Sequence, residues 1–495
     1  MLPSRLPQLV RRISTLPHPT RWAPSRRLVD ARRIWTTATH SDPALAAALD
    51  CCLGKLEFAS SDHAAGEPVP SQPDLCVVLV SGTYPGEDLQ ALPAKVFSRL
   101  KPKCLVGAVV DAVAVRSPSD PTSFAYGPGL SITTTGGNGL GDTEIIPFHI
   151  PPSRHRRFKA VGRWPEQLKR SNLEPDAGDL GFTSVSTPRL EDTHAEAADG
   201  LAFPGLGSLG GSSPIFLMFT DREPHRFLSA LDRHVPKGTK FGIAGTQTPF
   251  ITGTPYTLFY NDKAVPEGLV GVAITPKADG DESKNTLIIH DLEIAHPTLA
   301  PLGEPLTITN CRGNIILELD EGKASRHLLG QVEAYMRDAV RATDRRLYMR
   351  IWDEGDEGES HDSVLLIISG DPTKGTLALD TTKEIVKGMK AQFMIRDKEG
   401  DELPRSIEDA RSTIQFSSVP QEHTVLSVAD DAPLQPVFSL EAIAAQSESG
   451  FVFGTAELAN ASRDEGSPQD VVGKGSVLCD LPHSEGKLSI FVMNA

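Results

Sequence analysis

The side chains with most chemical potential are six cysteines and a short histidine–acid stretch. Cys51, Cys52, Cys76, Cys104, Cys311 and Cys479 form no Cys-x-x-Cys pair. In a long chain without a secretory signal they read as reduced, mainly structural thiols. Cys104 follows Lys103 and Cys311 precedes Arg312, and a nearby cation is one way to make a reactive thiolate. A hydrolase using Cys76, Cys104 or Cys311 is therefore one reading, although no spacing supplies the base such a nucleophile needs. His290 and His296 would share a strand face, with Asp291 beside the first. No His-Glu-x-x-His or comparable ligand set accompanies them, and no Gly-x-Ser-x-Gly elbow is present. No catalytic residue and no metal ligand is assigned.

Gly205-Leu206-Gly207-Ser208-Leu209-Gly210 matches a dinucleotide fingerprint in letters. The chemistry needs a strand before it and a helix after it, so that amides meet the pyrophosphate. Here a loop precedes and a strand follows, which makes it a glycine-rich loop. Gly370 to Thr376 places its lysine wrongly for a phosphate loop. Asp353, Asp356, Glu357 and Glu359 lack the alternate spacing of a calcium loop. No cofactor is expected.

The elements that would position a site alternate between strand and helix, which predicts an α/β (α+β) fold. Residues 43–56 read as a helix. Leu75 to Ser81 reads as a buried strand, 86–100 as a helix and Cys104 to Val115 as a second strand region. Pro214 to Thr220 is another buried strand and 224–235 a helix with Phe227, Leu228 and Leu231 on one face. Residues 256–260 and 268–275 are expected to pair as a hairpin across the connector NDKAVPE. Later strands are expected at 306–309, 314–319, 364–368, 376–379, 391–396, 451–457 and 488–493, with a helix over 324–342. Residues 151–213 show no periodicity and read as a disordered insertion.

The chain has 495 residues and a net charge of −15, which argues against nucleic-acid binding. No run of about 18 apolar residues predicts a transmembrane helix. The charge is uneven. Residues 1–35 hold eight arginines, no lysine and one acid, Asp30, a balance of +7 that leaves −22 for the rest. Leu6, Leu9, Val10 and Ile13 give this basic segment one apolar face. Residues 1–40 therefore read as a mitochondrial transit-like leader cut near Trp35, with a disordered basic tail as the plainer alternative. Leu6-Pro7, Leu16-Pro17 and Trp35 also echo the spacing of an F-box, against which Pro17, Pro19 and Pro24 stand.

Residues 240–275 and 302–324 resemble the FIST domain family. The first stretch matches at Gly242, Leu258, Phe259, Val265, Gly268, Val270, Gly271 and Val272. The second matches at Leu302, Gly303, Pro305, Leu306, Thr309, Gly313, Asn314, Ile316, Glu318, Leu319, Asp320 and Ala324. Looser likenesses fall at 388–397 and 450–458, and Gly107 alone is kept of a motif in the first half. The resemblance implies an N-terminal domain over 41–286, a C-terminal domain over 287–495, and mixed sheets packed together. It also implies a non-enzymatic, sensory role in signal transduction, binding an amino acid or small carboxylate. Candidate ligand-binding groups are Thr246, Gln247, Arg396 and Glu457, with Arg396 gripping a carboxylate and Glu457 an amine. The competing readings are the cysteine hydrolase and a protein-interaction adaptor of the F-box kind.

Overall fold

The apolar runs at 75–81 and 215–220 become strands buried along their whole length, because each lies in a sheet covered on both faces. The computed structural model describes residues 34–61, 72–116, 124–135, 143–151, 214–235, 238–276, 286–338, 346–352, 363–371, 373–381, 385–396, 412–419, 438–440, 442–454, 476–479, 481 and 484–494. Several expectations lie outside these residues: the leader through residue 33, the insertion beyond residue 151, the glycine-rich loop at 205–210, the acidic loop at 353–359, and Glu457.

Sheet I has the order β11 (Lys263–Val265), β10 (Leu258–Tyr260), β3 (Cys104–Val110), β2 (Leu75–Ser81), β6 (Leu130–Thr135), β1 (Trp35–His40) and β22 (Phe438–Leu440). Sheet II has the order β25 (Val477–Cys479), β24 (Phe451–Gly454), β9 (Thr239–Ala244), β8 (Ile215–Thr220), β12 (Leu269–Pro276) and β7 (Thr143–Ile150). Sheet III runs β13 (Thr286–Ala295), β26 (Glu485–Asn494), β21 (Thr413–Ser418), β23 (Ala442–Ser447), β4 (Ala112–Arg116) and β5 (Phe124–Gly127).

The remaining strands close into an antiparallel barrel. Its order is β14 (Leu299–Arg312), β20 (Lys390–Arg396), β17 (Leu347–Trp352), β18 (Ser363–Asp371), β19 (Thr376–Leu379) and β15 (Ile315–Leu319), with β15 pairing back onto β14 and β16 (Gly322–Lys323) beside it. The hairpin expected at Gly313-Asn314 is the β14–β15 turn, with Gly313 at φ +59°. Helix α4 (Ala324–Asp338) contributes Ala324 and Leu328 to the apolar filling around Ile316, Met349 and Phe393.

Sheets I and II are built on one plan. The five-strand core β10-β3-β2-β6-β1 matches β24-β9-β8-β12-β7 strand for strand and direction for direction. In each, a parallel pair is joined by a helix: α2 (Gly86–Leu100) between β2 and β3, and α3 (His225–His234) between β8 and β9. Gly107 faces Val78 and Gly242 faces Met218 at the same rung. A β-carbon there would fall 1.9 Å from the Val78 carbonyl oxygen and 2.2 Å from that of Met218, so only glycine lets the strands approach. Val78 and Val80 turn outward onto α2 and α1 (Leu45–Ser61), while Phe216 and Met218 turn onto α3. Val77, Leu79, Leu217 and Phe219 turn inward to a core shared with Phe416 and Ile443 of sheet III.

Three expectations need correction. Strands outweigh helices, with four helices against 26 strands among the described residues, so the α/β description holds only for mixed sheets with flanking helices. The boundary at 286/287 does not separate sheets: β22 joins sheet I, β24 and β25 join sheet II, and β4 and β5 join sheet III. The leader cannot extend to residue 40, because Trp35–His40 is a strand and Ile34 and Trp35 are 1% and 2% exposed in the central core.

The hairpin predicted from 256–260 and 268–275 also forms differently. Asn261 adopts φ +53° and makes a tight turn inside the supposed connector, pairing Tyr260 with Lys263. Residues 269–276 pair instead with β8 and β7.

Candidate functional site

The run CLVGAVVDAVAV is not one strand. It breaks at Asp111, where the chain leaves sheet I at the end of β3 and enters sheet III as β4. The Asp111 amide donates to the Gln446 carbonyl of β23, at 3.0 Å, which fixes the crossing. Its carboxylate is thereby held where three sheets meet.

Asp111 and Thr246 hold the same place in the two matching units, each seven residues beyond the first residue of β3 or β9. They meet directly: the Thr246 hydroxyl donates to Asp111 Oδ2 at 2.7 Å. The Thr246 amide donates to the Val109 carbonyl at 2.9 Å, tying the sheet II loop to β3. From sheet III, the Glu448 amide donates to the same Oδ2 at 2.5 Å. Oδ1 is buried and accepts no hydrogen bond. Burial pushes the carboxyl up to about 6; the Thr246 and Glu448 hydrogen bonds work against that rise, and the Glu448 carboxylate adds slightly to it.

Two unsatisfied hydroxyls lie close in the chain or the ladder to Glu448, whose amide holds this carboxylate. Ser447 pairs with Ser418 across the parallel β21–β23 ladder, and its hydroxyl accepts from the Ser449 amide at 3.1 Å. The hydroxyls of Ser418 and Ser449, at 0% and 1% exposure, make no hydrogen bond. Such groups are costly to bury without a partner. They sit at the C-terminal ends of the parallel strands β21 and β23, and Asp111 and Thr246 follow the C-terminal ends of β3 and β9. Strand carboxyl ends are where open α/β sheets bind ligands.

The other two parallel-strand ends are closed by their own groups. The Ser81 hydroxyl accepts from the Gly129 amide at 2.9 Å and pairs with the Thr83 hydroxyl at 2.8 Å. In the matching position, Asp221 Oδ2 accepts from the Gly268 amide at 2.8 Å and Oδ1 from the Glu223 amide at 2.9 Å. Gly268 holds φ +104°, which suits glycine. Burial raises the Asp221 pKa, but both oxygens are engaged, so this carboxyl latches a turn.

Of the four residues expected to bind a ligand, Thr246 lies in the site. Gln247 follows it and is exposed. Arg396 ends β20 in the barrel, opposite Leu299, in a different sheet from either. Glu457 lies outside the described residues. The thiols are poor nucleophile candidates. Burial pushes Cys76 strongly up and Cys104 to about 12, opposite to activation, and the Cys311 thiol donates to the Ile385 carbonyl at 3.0 Å. The residues that sequence reading missed are Asp111, Ser418, Ser447 and Ser449. A single acid inside an otherwise apolar run was the signal for Asp111; the serines carried none.

No protein-family model matches the chain, and no curated protein matches it. Among the described residues, no helix is long and apolar enough to cross a membrane.

Proposed function

We propose that the chain is a non-enzymatic protein that binds a small ligand at Asp111. The observation that carries this reading is the buried carboxylate with one oxygen bonded from two sheets and the other left without a donor. A ligand N–H or ammonium satisfies Oδ1, and the Ser418 and Ser449 hydroxyls can donate to a carboxylate. An amino acid fits this donor–acceptor set better than a simple carboxylate, which the Asp111 charge would repel. The resemblance to the FIST family supports the same sensory, small-ligand reading. A thermal-shift screen of amino acids and small carboxylates tests it. A stabilising amino acid whose effect disappears in Asp111→Asn supports it; no stabilisation at millimolar concentration by any of them counts against it.

A protein partner is the second reading, favoured by one observation. Phe250 is fully exposed at the tip of the loop that begins at Thr246. That loop is stiffened by hydroxyl contacts of Thr248, Thr252, Thr254 and Thr257. A rigid exposed aromatic is the kind of anchor that interfaces use. The F-box version of this reading loses Trp35, which is buried in β1. Loss of a captured partner in Phe250→Ala would support the adaptor reading.

The basic segment supports mitochondrial import as the setting for either reading. Because Ile34 and Trp35 are core residues, a processing cut compatible with this fold falls before residue 34. Sequencing the N-terminus of protein from its native cell tests this; a mature chain starting at Thr36 would contradict it.

A further inference from the structure

The loop between β9 and β10 carries the most exposed large apolar side chain among the described residues. Phe250 is fully exposed at its tip, Ile251 beside it is 38% exposed, and Pro249 and Pro255 are exposed around them. The loop is nevertheless fixed in shape. The Ile251 and Thr252 amides both donate to the Thr248 carbonyl, at 3.1 and 2.9 Å, and the Thr248 amide donates to the Pro255 carbonyl at 2.9 Å. It is also seated on α2. The Gln90 side-chain amide donates to the Thr252 carbonyl at 2.7 Å, and a β-carbon at Gly86 would fall 1.9 Å from the Ile251 carbonyl oxygen. Backbone contact this close needs glycine and sets the height of the tip. Phe250 is held out in water, where its ring forgoes the apolar burial open to it.

The ground around the tip is acidic. Residues 82–90 border the loop through Gly86 and Gln90, and 109–111 through Thr246. Residues 221–223 act on the Tyr256 phenol, and the Tyr256 amide donates to the Pro266 carbonyl at 3.2 Å, which brings in 266–268. These stretches hold Glu87, Asp88, Asp111, Asp221, Glu223 and Glu267 against one cation, Arg222. Asp111 and Asp221 are occupied by the bonds described above, and Lys95 meets Asp88 at 3.3 Å. That leaves Glu87 and Glu223 exposed and Glu267 half-buried beside the loop. Such a rim repels phosphate, so neither a nucleic acid nor an anionic membrane suits the apolar tip. It attracts a cationic surface.

We propose that this tip docks a basic segment of a protein partner, with an arginine on the Phe250 ring and neighbouring cations meeting Glu87, Glu223 and Glu267. A guanidinium stacks on an aromatic face and also pairs a carboxylate as a flat fork, so arginine answers both halves of the patch. Pro249 and Ile251 offer its apolar stem a bed. The proposal rests on the protein-partner reading above and adds to it the chemistry of the partner.

The test titrates the full chain with a short labelled peptide that alternates arginine with leucine, and with a counterpart carrying glutamine for arginine, read by fluorescence anisotropy. The expected result is saturable binding of the arginine peptide, weakened roughly tenfold or more by Phe250→Ala. Glu87→Gln and Glu223→Gln should each weaken it about two- to fivefold, while Glu333→Gln, exposed on α4, should leave it unchanged. All four side chains are exposed, so melting temperatures should not move with these losses. Equal binding in wild type and Phe250→Ala overturns the proposal, as does a loss in Glu333→Gln matching that in Glu87→Gln, which would mean diffuse attraction to an acidic protein. Phe250-dependent binding of the glutamine peptide, as tight as that of the arginine peptide, overturns the basic chemistry and leaves the partner reading standing. No Phe250-dependent binding of either peptide overturns the proposal and counts against Phe250 as an anchor. Phe250-dependent binding to phosphatidylserine–phosphatidylcholine vesicles, without binding of the arginine peptide, overturns it in favour of a membrane.

Discussion

The two matching sheets differ where the difference matters most. Sheets I and II share strand order, direction, a linking helix and a glycine at the same rung, yet their equivalent strand-end residues are Asp111 and Thr246. One contributes a buried carboxylate and the other a neutral donor. Two carboxylates facing each other there would repel, and two hydroxyls would leave the junction without charge. The inverse exchange occurs one strand over, where Ser81 in the first unit takes the place that Asp221 holds in the second. The shared parts specify the scaffold; the unequal parts divide its acids between a latch and an unsatisfied site.

The largest effect expected from testing the shared scaffold is in the strands that flank each unit. Trp35 of β1 and Phe148 of β7 are both nearly fully buried. Replacing either by Ala should cost about 3–5 kcal/mol, read from the denaturant midpoint; a loss confined to one unit would mean that the second is not held by its matching strand. Next come Gly107→Ala and Gly242→Ala. Each pushes a methyl into a carbonyl oxygen, so each should lose stability at or above the upper end of about 1–3 kcal/mol, and similar losses in the two would sharpen the equivalence.

Asp111 should separate the units by pH. Its folded pKa of about 6 is raised above the ordinary carboxylate value. Below the unfolded pKa near 4, the protonated form contributes its full stability; that contribution is lost as pH rises through about 6. Its size is at most on the order of 3 kcal/mol. Asp111→Asn should remove this decline between about pH 4 and 7, and Thr246→Val should not. An unchanged slope in Asp111→Asn would locate the titration elsewhere. The smallest effects should come from the latches. Asp221→Ala leaves the Gly268 and Glu223 amides unmatched and should cost about 1–3 kcal/mol, more than the roughly 1 kcal/mol for Ser81→Ala. Equal losses would show that the charge on Asp221 adds nothing.

Much of the repeated scaffold was legible in the sequence. The runs at 75–81 and 215–220 are apolar on both faces, and α2 was read to its ends. The glycines that carried the family resemblance, Gly107, Gly242 and Gly271, prove to be close strand contacts, so those letters describe packing. Strands β21 and β23 were missed because TIQFSS and AIAAQS hold small and polar residues that look like a loop unless their partners are known. Asp111 was on view but not understood: the sequence shows an acid in an apolar run, and only the change of sheet shows why it is there. Thr246 stands out in the sequence only by its loop, and its hydrogen bond to Asp111 is a feature of the fold. Its equivalence to Asp111 was hidden, because the parallel pairs within the two units are joined by helices of unequal length and the units share no obvious repeat of letters.

The most direct test of the central claim is calorimetric titration of the full chain with individual amino acids at about pH 7, set beside the same titration of Asp111→Asn. The account predicts that at least one amino acid binds with a single-site isotherm and that Asp111→Asn weakens it roughly tenfold or more. An isotherm identical in the two proteins, or no binding heat to the wild type at millimolar concentration, would contradict it.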